Sequence, residues 1–434
     1  MNNRLPIADL AHCQGQTVTI SGWLHNFRRL KKVSFLILRD VTGLAQVVLT
    51  DEALVETIAP LNRESVLQIT AEVAAVEQAP NGIELHNPTI EILSEATEIP
   101  PFDMFRPTLE AQLPTILDKA VLSLRHPQHK ARWQIAAAAM QGFRETLRNQ
   151  AFTEIQTPKI VSTATESGAN VFEIDYFGQS AYLAQSPQFY KQMMVGVFER
   201  VFEVGPVFRA EPHTTTRHLS QYTSLDAEMG FINNHYDVMK VLTEVIRGMM
   251  TTVQTHAQQA ITELDCEIPQ VPATIPAIHF TEAQELYFQE TGNDERNEPD
   301  LSPEQERWLG AWAQSEHNSD FLFVTGYPMK KRPFYTHRDP SRPDYSNSFD
   351  LLFRGVELVT GGQRLHQHAD YLTACKQWKV DVESISGYLA AFAHGMPPHG
   401  GFAIGLERFV AQLTGTANVR LTTLFPRDTK RLIP

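Results

Sequence analysis

Residues 356–364, V-E-L-V-T-G-G-Q-R, read together with residues 401–408, G-F-A-I-G-L-E-R, set the terms for the rest of the chain. Each is an apolar, strand-like run that ends in glycines beside a charged residue, a composition suited to close approach of the backbone to a phosphate-bearing ligand. Glu357 supplies a carboxylate suited to magnesium, and Arg364 and Arg408 supply planar forks for carboxylate and phosphate oxygens. A third arginine, Arg209 in F-R-A-E, follows the apolar run 201–208. Together they point to a polyphosphate and an acid substrate held side by side. The glycine stretches have neither the P-loop form nor the G-x-G-x-x-G dinucleotide fingerprint.

Working outward, F-D-L-L-F-R-G-V-E-L-V joins two strands by a short turn, which implies hairpins and an antiparallel sheet. Further strands are expected at 181–184, 201–208, 224–231 and 402–405. Trp133, Ala136, Met140, Phe143 and Leu147 recur at intervals of three and four, so 131–149 is a helix whose stripe faces a core or a partner. A second helix spans 236–256. In F-T-E-I-Q-T-P-K-I-V, Pro158 interrupts a strand-like run, which places it at a sheet edge or bulge, the expected seat of a second subunit. Residues 266–330, richer in proline and acidic groups, read as an insertion. The class is α+β, an antiparallel sheet flanked by helices, over a domain at 131–434.

Before it, five short alternating strands at 17–24, 34–39, 44–49, 65–76 and 83–93 predict a barrel of the oligonucleotide-binding type within residues 1–100. A proline-rich linker covers 101–130. Arg28, Arg29, Lys31 and Lys32 fall in the loop after the first strand, with Phe35 and Gln46 on the next two; a base could stack on Phe35 and bond to Gln46. The competing reading makes the basic run a solvated loop and Phe35 a core residue of F-L-I-L.

Composition narrows the class. The 434 residues are 42% hydrophobic and 20% charged, which fits a globular protein of two or three domains. No apolar run nears the ~18 residues of a membrane span, and the N-terminus lacks the apolar core of a signal peptide, so a cytoplasmic protein with no membrane partner is expected. A net charge of -13 argues against whole-surface attraction to nucleic acid and leaves room for a local basic patch. Cys13, Cys266 and Cys375 are far apart and read as small hydrophobes. His366, His368 and His399 lack the spacing of metal ligands.

In order along the chain, the barrel, F-T-E-I-Q-T-P-K-I-V, F-R-A-E with the later S-L-D-A-E-M, and G-L-E-R resemble the three motifs and anticodon domain of a class II aminoacyl-tRNA synthetase. T-A-T-E-S-G, Q-S-P-Q-F-Y-K-Q, G-G-Q-R and L-F-P-R-D are similar to the archaeal-type aspartyl-tRNA synthetases in particular. The resemblance covers nearly the whole chain. It implies that L-aspartate attacks ATP to form aspartyl-adenylate, that the acyl group then passes to tRNA, and that Mg2+ assists. It further implies that Arg209 contacts the α-phosphate and the substrate carboxylate and that Arg408 clamps the distal phosphates. Glu211, Arg217, His218, Leu219, Gly405, Leu406 and Glu407 would border ATP, and Glu357, Thr360 and Asp350 would serve the metal. For aspartate it implies Lys191 and Arg364 at the side-chain carboxylate with Gln188 beside them, and Glu166 and Asp226 at the ammonium group. The family usually has serine where this chain has Thr360.

The same resemblance bears on tRNA(Asp) and tRNA(Asn), whose anticodons differ in the third base. Discriminating relatives have a tryptophan and a lysine where this chain has His25 and Pro80, so both tRNAs are expected as substrates of a homodimer. The alternatives are a tRNA(Asp)-specific enzyme, an asparaginyl-tRNA synthetase, which Lys191 opposes, a tRNA-free asparagine-forming relative, and an inactive binding module.

Overall fold

Alternation of apolar and polar residues closes the first part of the chain into a barrel. The computed structural model describes residues 4–79, 82–163, 170–212 and 215–433, in two units, Met1–Ile116 and Leu117–Pro434. In the first unit β1 (Thr17–Arg29), β2 (Ser34–Arg39), β3 (Leu44–Leu49), β4 (Val66–Ala75) and β5 (Ile83–Ser94) close in the order β1-β2-β3-β5-β4. Leu36, Leu38, Val47, Leu67, Ile69 and Val73 fill the interior. Arg28 pairs with Phe35 and Ile37 with Gln46, so Arg28, Phe35 and Gln46 share the outer face. Phe35 is half-buried on that face and absent from the core. Gln46 Nε2 donates to Glu84 Oε1 at 2.8 Å. Arg28 and Arg29 extend β1 and are not loop residues.

His25 departs from expectation. The strand register slips between Leu24 and Asn26, and this bulge turns the His25 ring inward, where it is 4% exposed. Its Nδ1 lies 3.0 Å from Arg39 Nη1, and its ring centroid 5.4 Å from that of Phe105. A ring held this way does not present a face to a base. Pro80 and Glu166 lie outside the described residues.

In the second unit the chain runs through β6 (Thr153–Glu154), β7 (Ile160–Val161), β8 (Glu173–Tyr176), β9 (Gln179–Leu183), β10 (Arg200–Phe208) and β11 (Gln221–Gly230). Then follow β12 (Ala277–His279), β13 (Phe321–Thr325), β14 (Ser348–Phe353), β15 (Val356–Gln363) and β16 (His399–Gly405). The main sheet has the order β12-β13-β14-β15-β16-β11-β10-β6, antiparallel from β13 to β10 with a parallel strand at each edge. The stretch expected as an insertion therefore supplies β12 and β13, so it is built into the sheet. Three- and four-residue periodicity on helices Pro127–Asn149 and His235–His256 buries Phe143, Leu147, Leu242, Val245 and Met249 against the apolar face of the sheet. The stripe of the first helix thus meets the chain's own core. The run around exposed Pro158 is divided between β6 and β7, which belong to different sheets; Thr157 Oγ1 and Lys159 Nζ fasten the connection to buried Glu203 at 2.7 and 2.8 Å. No described helix is long and apolar enough to cross a membrane.

The barrel encloses an ion pair. Arg39 Nη1 and Nη2 each donate to Glu64 at 2.8 Å, and both residues are buried. Glu64→Gln, which keeps the length and shape of the side chain, leaves the guanidinium without its counter-charge and should cost about 3–5 kcal/mol in the barrel's urea transition. Combined with Arg39→Met, the loss should be smaller than the sum of the two single changes.

Candidate active site

Register assembles the site. Across the sheet, Asp226 pairs with Ala403, Ala403 with Thr360, and Thr360 with Asp350, so all four share one face. One step along, Glu228 pairs with Gly401 and Gly401 with Gly362 on the same face. The intervening residues, Leu225, Ile404, Val359, Leu351 and Phe323, point into the helix-covered core. The polar face opens into a cleft of about 420 Å³. Of the expected residues, Gln188, Lys191, Arg209, Glu211, Arg217, His218, Leu219, Glu357, Thr360, Arg364, Gly405, Glu407 and Arg408 line it.

Four buried charges meet at its floor. Lys191 Nζ lies 2.8 Å from Asp226 Oδ1 and 3.5 Å from Glu228 Oε2, and donates to the Phe402 carbonyl at 3.1 Å. Arg364 Nε donates to Glu228 Oε1 at 2.9 Å and its Nη2 to the Gly401 carbonyl at 3.1 Å. Burial alone would raise the Glu228 carboxyl, yet Arg364 and Lys191 hold it below the ordinary value. Asp226, expected at the substrate ammonium, does not line the cleft: it is 1% exposed and also accepts from Ser224 Oγ. Glu228 is a residue the sequence reading missed, although its place two positions after Asp226 in S-L-D-A-E-M marks it for the same strand face.

Two of the glycines have a different cause from the one expected. A Cβ on Gly401 would lie 2.1 Å from Glu228 Oε2, and one on Gly361 would lie 2.4 Å from the Phe349 ring. Close packing of protein against protein requires them bare.

At the other end of the row, Thr360 Oγ1 donates to Glu357 Oε1 at 3.1 Å. Three residues apart on a regular strand, these side chains would face opposite ways; a bulge at Leu358 brings both to the cleft. Arg408 Nη1 donates to the Glu357 carbonyl at 2.9 Å. Oxygen donors of this kind suit magnesium, which takes one or two carboxylates together with substrate phosphates, and no group of three His, Cys, Asp or Glu converges among the described residues. Asp350 is 3% exposed and accepts from Arg332 Nη2 at 3.0 Å, so Arg332 holds it back from the cleft. Burial raises its carboxyl to about 6, with Arg332 opposing. Arg332, Tyr222, Tyr335 and Ser348 line the cleft and were not anticipated. Neither was Glu306, whose Oε2 accepts from the Glu357 backbone at 3.2 Å.

Leu406 packs into the core with no exposure, so its side chain is not available to a nucleotide. Glu407 accepts the Thr223 N–H on both oxygens at 3.0 Å, which ties the helix Leu406–Leu413 to β11. Burial lifts its carboxyl to about 7.

Comparison with known proteins agrees in both units. Residues 112–429 match the family model for tRNA synthetases class II (D, K and N), and residues 18–93 that for the OB-fold nucleic acid binding domain. The chain is 44% identical to the aspartate–tRNA(Asp/Asn) ligase of Deinococcus radiodurans, with 98% of each chain covered. It is 43% identical to the enzyme of that name from Thermus thermophilus, covering 99% of this chain and 100% of the other. Its fold is similar to the crystal structure of asparaginyl-tRNA synthetase from Pyrococcus horikoshii complexed with asparaginyl-adenylate, with a TM-score of 0.93, 29% identity and full coverage of both chains.

Behind the floor, His399 is fully buried, and burial pulls its pKa down to about 4. The unfolded chain takes up a proton near 6.5 while the folded chain does not, so this neutral ring weakens folding as the pH falls from 6.5 towards 4. Relative to His399→Gln, the wild type should lose about 2 kcal/mol of stability between pH 7 and pH 5, read from urea unfolding of both proteins.

Proposed function

Since the chain belongs to the class II tRNA synthetases of the D, K and N group, we propose that it joins L-aspartate to both tRNA(Asp) and tRNA(Asn) at the expense of ATP. An α-carboxylate oxygen of aspartate attacks the α-phosphorus, the bond to the bridging oxygen breaks, and pyrophosphate leaves. The acyl carbon of aspartyl-adenylate then passes to a ribose hydroxyl at the 3′ end of tRNA, and AMP leaves. Aspartate is already ionised near neutral pH, so the first step needs positioning and charge stabilisation and no general base.

The observation that carries this reading is a single cleft with a buried cation pair at its floor and arginines with a carboxylate along its wall. Arg209 would hold the α-phosphate and the α-carboxylate. Arg408 would hold the distal phosphates, with Glu211, Arg217, His218 and Leu219 around the nucleotide. Glu357 and Thr360 would hold magnesium, which when bound screens phosphate charge. Arg364 keeps Nη1 for the side-chain carboxylate, and Lys191 can aim an N–H there in place of its contact with Glu228, which at 3.5 Å is its longest. The relatives from Deinococcus and Thermus, named for both tRNAs, support charging of the pair. Arg28, Phe35 and Gln46 on one outer face of the barrel would meet the anticodon, in a cytoplasmic enzyme.

One observation favours asparagine as a second reading: Asp226 and Glu228 already balance Lys191 and Arg364, so the floor carries no net charge. ATP-pyrophosphate exchange with aspartate and asparagine in parallel decides between them, and aspartate-dependent exchange is the expected result. With unmodified transcripts, tRNA(Asp) and tRNA(Asn) should be aspartylated at comparable rates; strong preference for tRNA(Asp) would sink that part. A homodimer is supported by β6 at the sheet edge and by exposed Pro158. Light scattering at micromolar concentration should give twice the chain mass of 49.0 kDa, and a monomer would rule it out.

A further inference from the structure

Gln188 borders the cleft, and the end of its amide that faces a substrate decides whether it takes a donor or an acceptor. An amide can turn either way, so its neighbours must settle the matter. The Pro397 carbonyl can only accept, and its 2.9 Å contact with His399 Nδ1 puts the ring proton on Nδ1. Burial keeps the ring neutral, so Nε2 is bare and accepts. Gln192 Nε2 lies 3.0 Å away, which requires Gln192 to turn its NH2 group to the ring; the same group donates to Tyr371 Oη at 3.0 Å. Gln192 Oε1 therefore faces the other way, where it accepts from Gln188 Nε2 at 2.9 Å and Tyr388 Oη at 3.0 Å. The phenol oxygens of Tyr371 and Tyr388 are 2.8 Å apart, which closes the network. Each link follows from the one before, and the last leaves the Gln188 carbonyl oxygen without a partner among the described residues.

We propose that Gln192, His399, Tyr371 and Tyr388 are positioning residues of the amino-acid pocket: they hold the Gln188 amide with its carbonyl oxygen toward the cleft, where it accepts from the substrate's ammonium group. The inference rests on the aspartate reading above. A carbonyl oxygen repels a carboxylate, and the only N–H donor of aspartate is its ammonium. Gln188 stands one helical turn before Lys191 on the same helix, and both line the cleft. With Asp226 locked to Lys191, Gln188 supplies the acceptor that Asp226 was expected to give.

The test compares wild type with Gln192→Leu, which frees the Gln188 amide to rotate. The reporter ligand is succinate, which has the carbon skeleton and both carboxylates of aspartate and no ammonium. The KM for aspartate should rise roughly ten- to a hundredfold, whereas the KM for ATP and the inhibition constant of succinate stay within about twofold. A merely structural role would weaken succinate and aspartate alike; that outcome, or no change in either, overturns the proposal. A second measurement needs only a folded wild type: nitrogen NMR of the histidines, with His399 assigned by its loss in His399→Asn, should show the Nδ1–H tautomer. The Nε2–H tautomer would reverse the Gln192 amide and refute the inference. Absence of aspartate-dependent exchange in the wild type would instead remove the functional reading, leaving the tautomer to judge the network.

Discussion

The mutual neutralisation of Lys191, Asp226, Glu228 and Arg364 is the constraint on which the catalytic unit depends. Each charge taken singly into the interior would cost several kcal/mol, so none is tenable there without the others. The arrangement joins a helix through Lys191, a central strand through Asp226 and Glu228, and, through Arg364, the residue that follows the next strand but one. Between them runs β16, whose carbonyls at Gly401 and Phe402 accept from Arg364 and Lys191 and whose Gly401 leaves room for the Glu228 carboxylate. The floor is thus pre-formed, with its donors already held in place by one another.

Around this floor the sheet separates two jobs by its pleat. One face carries Leu225, Ile404, Val359 and Leu351 into a core covered by two long helices, and the other carries the ionisable row. A strict pleat would have sent Glu357 to the core side. The bulge at Leu358 corrects this locally, and it sets Glu357 beside Thr360 and within reach of Arg408. A bulge in the barrel has the opposite effect on His25, which it buries beside the Arg39–Glu64 pair. The same device adds a side chain to one candidate site and withdraws one from another.

The sequence by itself determined the elements and the classes of chemistry. Period-two runs marked the barrel strands, three- and four-residue spacing marked helices at 131–149 and 236–256 that the structure extends to 127–149 and 235–256, and the arginines beside glycine-rich strands marked a candidate anion site. These signals are local, and local physics suffices to produce them. The sequence could not decide which charges neutralise one another, because ion pairs such as Arg364 with Glu228 join residues 136 positions apart. Nor could it decide why the glycines are glycine, since Gly401 and Gly361 answer to Glu228 and Phe349 on neighbouring strands. Pairing across strands also placed β12 and β13 in the main sheet, where composition alone had read an insertion. Side-chain direction after a bulge, hydrogen-bond direction through a buried amide, and the burial of His25 all depend on contacts distant in sequence. Only the tertiary structure fixes those.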